Sequence, residues 1–291
     1  MASALFKKVL IATNLGPVVD SFIACFTDLK SLGVEEVILA HALPPETNKV
    51  PGDPIDISSP DNRLDQQAKL LRDKGVKVQP MIVAGPAGTA ILELADRHNV
   101  GLVVVGTREE TEQGRSLLGC TSYSVLHETV KPTLILPATK KVNDASQTDG
   151  SCLNHILFPT DFSETSEHAF LYVESLASTF PCEVTLYHVH DKNRIDPYLR
   201  DRLPEFDKVD RGRMERMKAH LEFNKSGQCN VDLAYGIPAQ KILHLARSGK
   251  YSLMIIGTQG RGYIPEIHFG STANAVARHA PINVLFVPMP R

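Results

Sequence analysis

The chain has 291 residues, with 31 Lys plus Arg against 33 Asp plus Glu and a formal net charge of −2. That length suggests two domains of roughly 150 residues each, and the balanced charge argues against bulk nucleic acid or an anionic membrane as the main partner. Apolar residues at 43% and charged residues at 22% fit a packed globular protein and exclude disordered, collagen-like and disulfide-scaffold chains.

In chain order, the N-terminal MASALFKKVLIAT has too short an apolar stretch for a secretory leader. No later run approaches the roughly 18 consecutive apolar residues of a spanning helix. The first half then presents VLIATNLG (9–16), VILAHAL (37–43), GPAGTAILELA (85–95), LVVVGT (102–107), Gly119 and TLILP (133–137). Every block returns in the second half. ILFPTDFS (156–163) and VTLYHVH (184–190) follow at an offset of 147 residues. GIPAQKILHLA (236–246), LMIIGT (253–258) and Gly270 follow at 151, and VLFVP (284–288) closes the chain as TLILP closes its first half. The chain is therefore an internal repeat. The change of offset places a net four-residue insertion between Leu43 and Gly85 or in the matching stretch of the second half. The polar ATKKVNDASQTDGSC (138–152) reads as a solvated linker, so the expected units are 1–140, a linker at 141–151, and 152–291.

The second half predicts its elements most clearly. ILFP is a strand, and Ser163 caps a helix with apolar residues at Ala169, Phe170, Val173, Leu176 and Ala177. VTLYHV is the second strand, a long charged helix runs over about 204–225, and VDLAYG is the third strand. The helix AQKILHLARS, the strand LMIIG, the helix STANAVARH and the strand NVLFVP complete the unit. Continuous apolar strands suit a sheet covered on both faces, and βα alternation predicts parallel strands with right-handed crossovers. Ligands of such sheets sit beyond the strand C-termini, where strand order reverses. Attention therefore falls on TDFS and GTQGRG.

The second of these opens Gly257-Thr258-Gln259-Gly260-Arg261, and the loop ends at Gly270-Ser271-Thr272 ahead of a helix. Glycines let backbone approach a ligand. A helix start offers N–H groups and a positive dipole end to an anion. The hydroxyls of Ser271 and Thr272 and the charge of Arg261 add donors. Asp161, preceded by Pro159 and Thr160 at the end of the first strand, faces the same crevice and can accept hydrogen bonds from a nucleoside.

With this G-x2-G-x9-G-[ST] spacing and the first-strand Asp161, the chain resembles the universal stress protein family in its tandem two-domain form. The resemblance implies two Rossmann-like domains of the adenine nucleotide alpha hydrolase-like type, each a five-stranded parallel sheet flanked by helices. It also implies ATP or AMP as ligand, with or without Mg2+. Asp161 matches the adenine-side aspartate and Val189 the residue lying on the base. Gly257, Gly260, Gly270, Ser271 and Thr272 match the phosphate and ribose loop, within which Thr258 and Arg261 also lie. The implied function is that of a cytoplasmic stress-response regulator binding nucleotide in its C-terminal half. A slow ATP-hydrolysing enzyme and a nucleotide-free scaffold are the alternatives. The halves are expected to pair face to face within the chain, through a last strand around 284–287, and a homodimer is a further possible assembly.

The first half departs from this pattern. Asn14 replaces Asp161, Glu109 replaces Gly260, and Cys120 replaces Ser271, although Thr121 remains. Glu109, Glu110 and Glu112 crowd its loop against Arg108 and Arg115. Two like charges about 4 Å apart cost about 4 kcal/mol at an effective dielectric of 20, about a thousandfold in affinity. This half is therefore expected to bind nucleotide weakly or not at all and to serve as a packing partner.

Other signals are assigned structural roles. His188-x-His190 beside Asp191 puts two imidazoles on one strand face, but His41 repeats the first of them, so no metal ligand is assigned. The stretch 208–218 is read as a solvated helix face. His268 near Ser271 lacks an orienting acid, Glu266 is the one acid near Ser271 in the loop, and no G-x-S-x-G or Walker pattern occurs. Five cysteines without a CxxC (Cys25, Cys120, Cys152, Cys182, Cys229) read as free, mostly buried thiols.

Overall fold

The computed structural model describes residues 6–24, 30, 33–43, 63–107, 118–138, 153–196, 198–223, 227–261 and 269–290. In the first half these form β1 (Lys8–Ala12), α1 (Pro17–Ala24), β2 (Glu36–Leu43), α2 (Arg63–Asp73), β3 (Lys77–Ala84), α3 (Ala87–Arg97), β4 (Leu102–Gly106), α4 (Cys120–Glu128) and β5 (Thr133–Leu136). The second half repeats the pattern with β6 (His155–Pro159), α5 (Glu164–Thr179) and β7 (Glu183–Asp191). Then come the short α6 (Lys192–Ile195), a 3-10 turn (Arg200–Arg202), α7 (Leu203–Phe223), β8 (Cys229–Gly236), α8 (Pro238–Ala246), β9 (Leu253–Gly257), α9 (Ser271–His279) and β10 (Asn283–Val287). Ser163 is the α5 N-cap, its hydroxyl accepting from the Ser166 N–H, as the sequence predicts. The expected linker and the thiols Cys25 and Cys152 lie outside the described residues.

Alternation along each strand assigns side chains to the two faces of the sheet. Val9, Ile11, Val37, Leu39, Phe158, Val184 and Leu186 pack with α1, α2, α5 and α7 on one face. Leu10, Ile38, Val103, Leu157, Met254, Ile256 and Phe286 pack with α3, α4, α8 and α9 on the other. Both faces are covered, which is why the strand sequences are continuous apolar runs. Cys182 and Cys229 are buried, whereas Cys120 is exposed. No helix of the described residues is long and apolar enough to cross a membrane.

Strand order is β3-β2-β1-β4-β5-β10-β9-β6-β7-β8 in one ten-stranded sheet. Pairing is parallel within each half and antiparallel at the join, where Val284 meets Ile135, Leu285 meets Leu134 and Phe286 meets Thr133. The last strand mediates the pairing, as expected. The halves meet edge to edge, however, and not face to face, because β5 and β10 each leave one side of their backbone ladder open and close it on the other. Phe286 is fully buried there and packs on Phe269 with ring centroids 5.4 Å apart.

Two predictions follow from this packing. Phe286→Ala is expected to cost about 3–5 kcal/mol of stability, measured as a lower urea midpoint; a loss under about 1 kcal/mol would show that the join is not a tightly packed core. His155 is mostly buried, bonds Thr185 Oγ1 through Nε2 at 2.8 Å and packs on Tyr251. Burial, opposed by Glu183 and reinforced by Lys250, holds its imidazole below the ordinary 6.5. A depressed imidazole resists protonation in the folded state, so its stabilisation is complete above about pH 6.5 and declines as pH falls below it. His168 and His127 are depressed by burial in the same direction. The thermal midpoint should therefore fall from about pH 7 to about pH 5.5, by less in His155→Gln; a flat profile in the parent protein would contradict the assignment.

Candidate functional site

Strand order reverses between β6 and β9, which pair only at Ile156 with Leu253 and Leu157 with Met254. Past those positions the strands separate, and a cavity of about 490 Å³ opens over their C-terminal ends. Its lining includes Pro159, Thr160 and Asp161 from β6, Val189 from β7, Gly257, Thr258, Gly260 and Arg261 from β9, and Gly270, Ser271 and Thr272 at the start of α9. The structure thus brings all the residues singled out from sequence into one cavity.

The turn after β6 is locally determined. Thr160 Oγ1 accepts from the Phe162 N–H and from Ser166 Oγ. Asp161 Oδ1 accepts from the backbone N–H and the hydroxyl of Ser163. Between them Phe162 is held at φ 57°, a left-handed conformation unusual for a bulky residue and often found at functional turns. Asp161 is thus not itself the helix cap; it braces the cap. Asp161 Oδ2 accepts from the Arg261 N–H at 3.1 Å, and Arg261 Nε donates to the Asp161 carbonyl at 2.5 Å. The arginine therefore ties the β9 loop to the β6 turn. A carboxylate oxygen has two lone pairs, so Oδ2 retains one for a ligand.

The glycines divide by cause. A Cβ on Gly257 would lie 2.9 Å from Thr165 Cγ2 and 3.1 Å from the Thr165 carbonyl carbon, so packing against α5 requires this glycine. A Cβ on Gly260 would lie 2.6 Å from Asp161 Oδ2, so bareness there lets the carboxylate reach the loop. Gly270 is different. Its φ of −70° and ψ of 158° suit any residue, and an added Cβ would meet nothing closer than 3.4 Å. Nothing among the described residues requires a glycine there. Gly270 is also the N-cap of α9, and among the described residues no side chain caps that helix, whose first residues line the cavity. The Gly270 N–H itself donates to the Thr258 carbonyl at 2.7 Å, which fixes the start of α9 against β9.

The same cavity is also lined by His188 and His190 of β7, each 5% exposed. His188 Nδ1 lies 2.7 Å from the Thr160 carbonyl, the same contact that His41 makes with Thr13 at 2.9 Å. The shared structural position inferred from sequence is present. Burial pushes the His188 imidazole down, against the Thr160 bond and the Asp210 carboxylate, which raise it. The acid that joins the pair is Asp210 of α7, 9% exposed, and not Asp191, which caps α6 by accepting from the Asn193 N–H. This corrects two sequence expectations: the acidic neighbour of the pair, and the reading of 208–218 as a solvated helix face, since Asp210 and Met214 within it are buried.

Sequence reasoning also missed one wall of the cavity. Arg194, Ile195, Leu199 and Phe206 line it from α6, the 3-10 turn and the start of α7. Asp191 ahead of four helical residues was the available signal, since aspartate is a favoured N-cap. The acidic loop of the first half, including Arg108, Glu109, Glu110, Glu112 and Arg115, lies outside the described residues, as do Glu266 and His268. Asn14 is described, and its Oδ1 accepts from the Gly16 N–H at 3.0 Å.

A family model for the universal stress protein family matches residues 24–137 and again 153–288. A universal stress protein of Methanocaldococcus jannaschii is 29% identical over 154 residues, which is 45% of this chain and 93% of that protein. One of Mycolicibacterium smegmatis is 24% identical over 230 residues, 77% of this chain and 75% of that protein. The crystal structure of a universal stress protein from Archaeoglobus fulgidus superposes with a TM-score of 0.70 at 21% identity, covering 97% of this chain and 98% of that one, and so shares the fold.

The division among the glycines is testable without any ligand. Gly257→Ala is expected to lose about 1–3 kcal/mol through overpacking against α5. Gly270→Ala should change stability by less than about 0.5 kcal/mol. Urea unfolding of both variants measures this, and equal losses would remove the distinction.

Proposed function

The chain belongs to the universal stress protein family, and we propose that its C-terminal half is a regulatory module that binds an adenine nucleotide, ATP or AMP, in the cavity beyond β6 and β9, while the N-terminal half acts as its structural partner in the cytoplasm. The observation that carries this reading is Gly270: a glycine that neither conformation nor packing demands, at the uncapped start of a helix that opens onto the cavity. Bare backbone with unpaired N–H groups at a helix N-terminus is what a phosphate chain needs. The hydroxyls of Ser271 and Thr272 supply further donors.

The base lies toward the other end of the cavity. Val189, 8% exposed, offers apolar contact to a purine ring, and the free lone pair of Asp161 Oδ2 accepts from the ribose or the exocyclic amine. Arg261 sits between the two ends, and its guanidinium lies 5.8 Å from the Phe162 ring centroid. A Mg2+ ion in this reading is carried by the phosphate oxygens, because Mg2+ keeps oxygen ligands and several waters.

Isothermal calorimetry with ATP and with AMP tests the proposal. The parent protein should bind at one site per chain. Gly270→Ala should weaken binding at least tenfold without loss of stability. Gly260→Glu, which imitates the first half, should weaken it by a hundredfold or more, because a like charge about 4 Å from phosphate costs about 4 kcal/mol at an effective dielectric of 20. A folded parent protein that binds neither nucleotide, or a Gly260→Glu variant with undiminished affinity, would overturn the reading.

A further inference from the structure

His188, His190 and Asp210 each offer a ligand atom, and these atoms all lie within 4.8 Å of one another. From these positions and their supporting contacts we infer that the three residues form a transition-metal site suited to Zn2+, with its remaining coordination position open to the cavity. The site stands whether or not a nucleotide binds beside it.

The argument begins with tautomers. The Thr160 carbonyl can only accept, so the 2.7 Å contact at His188 Nδ1 places a proton on that nitrogen. A neutral His188 then turns the lone pair of Nε2 toward Asp210 Oδ2, 3.5 Å away. His190 Nδ1 lies 3.7 Å from the same oxygen. His190 Nε2 lies 2.8 Å from Asp207 Oδ1, although without the alignment of a good hydrogen bond. A carboxylate oxygen and two imidazole nitrogens are therefore gathered within 4.8 Å of one another. Both separations are too long for good N–H···O hydrogen bonds. They are close to the spacing of ligands around one tetrahedral ion: metal–ligand distances of about 2.0–2.2 Å give neighbouring ligand atoms about 3.3–3.6 Å apart. A cation resolves what would otherwise be a collision of acceptors in a buried place.

The outer contacts match what metal ligands need. A ligating histidine is normally oriented by a carbonyl or carboxylate on its other nitrogen. Thr160 provides this for His188, and Asp207 stands in the same relation to His190. Arg213 Nη1 lies 3.4 Å from Asp210 Oδ1, on the oxygen that the metal does not use, and its guanidinium stacks 5.0 Å from the Phe162 ring centroid. Imidazole nitrogen with one carboxylate selects Zn2+ and similar ions over Mg2+ or Ca2+, which prefer oxygen cages. Three protein ligands beside a cavity leave room for a water or an anionic oxygen in the fourth position. The first half keeps His41 but has Leu43 where His190 stands, so the site belongs to the second half alone.

The full chain, stripped with EDTA, equilibrated with Zn2+ and dialysed without nucleotide, should retain one zinc per chain by elemental mass spectrometry. His190→Gln and Asp210→Asn should weaken Zn2+ binding at least about a hundredfold, beyond the loss typical of an outer-contact substitution. Circular dichroism establishes that each variant is folded. His190→Leu, which copies the first half, replaces any variant that is not. Cys120→Ser should leave the stoichiometry unchanged. Co2+ in place of Zn2+ should give visible absorption bands of nitrogen and oxygen ligation without thiolate charge transfer. A folded parent chain that retains no zinc, zinc retained undiminished by a folded histidine or aspartate variant, loss of zinc in Cys120→Ser, or a thiolate signature with Co2+ would each overturn the inference. Nucleotide calorimetry on metal-free protein fails or succeeds independently, so the two readings are separable.

Discussion

Two residue pairs hold β6 against β9, and the shortness of that contact governs what the molecule can do. After Ile156–Leu253 and Leu157–Met254, β6 continues to pair only with β7, through Phe158–Leu186 and Pro159–Tyr187. Proline has no N–H to donate across the widening gap. The strands part because their crossovers leave in opposite directions, one toward β7 and the other toward β10. Backbone groups at the parted ends have no ladder partner across the gap, and buried backbone polar groups do not persist unpaired. Turns, helix starts and side chains fill the space, which is why Thr160, Asp161, Thr258 and Ser271 converge there.

The N-terminal half bears on this crevice although none of its described residues lines it. β5 pairs with β10, and the carbonyl of Val287 at the end of β10 accepts from the Thr258 N–H. The Thr258 carbonyl in turn accepts from the Gly270 N–H at the start of α9. A continuous line of backbone bonds thus runs from the join to the helix that faces the cavity. Closing β5 on β10 also removes two exposed strand edges, which would otherwise be open to pairing with another chain. One contact therefore both suppresses edge-to-edge association and holds the cavity wall in place.

Much of this was legible in the sequence, for identifiable reasons. The repeat fixed the element order, because each apolar run had a twin at a constant offset. The cavity residues were legible because strand-end position and glycine spacing are both local signals. What could not be read was tertiary. Asp210 looked like one charge among many on a helix, and only the docking of α7 on β7 brings it to His188 and His190. The edge-to-edge join was equally hidden, since TLIL and NVLFV carry no mark of antiparallel partnership. The three signature glycines looked equivalent in sequence, whereas their surroundings assign one to packing, one to a carboxylate and one to a place where a Cβ would make only ordinary contacts.

The two halves show how one backbone design supports different chemistry. Leu15 and Phe162 occupy the same left-handed conformation, at φ 63° and 57°, in turns braced by the same threonine hydroxyl and the same Asn or Asp contact to the residue two positions on. The turn is thus independent of whether its acid is charged. The surroundings differ. In the first half the Thr13 hydroxyl donates to Gln67 Oε1, while Gln67 Nε2 donates to Asp20, which also pairs with Arg63. Those polar groups satisfy one another. In the second half the corresponding Thr160 hydroxyl is taken up by Ser166, and the helix lying across the sheet brings the Asp210 carboxylate against His188 and His190, with the His188 Nδ1 proton directed to the Thr160 carbonyl. A self-satisfied network stabilises its own fold, whereas buried acceptors set against one another need a proton or a cation between them. Divergence at a handful of side chains, on a turn both halves retain, is enough to surround that turn with a closed polar network in one half and with a cavity in the other.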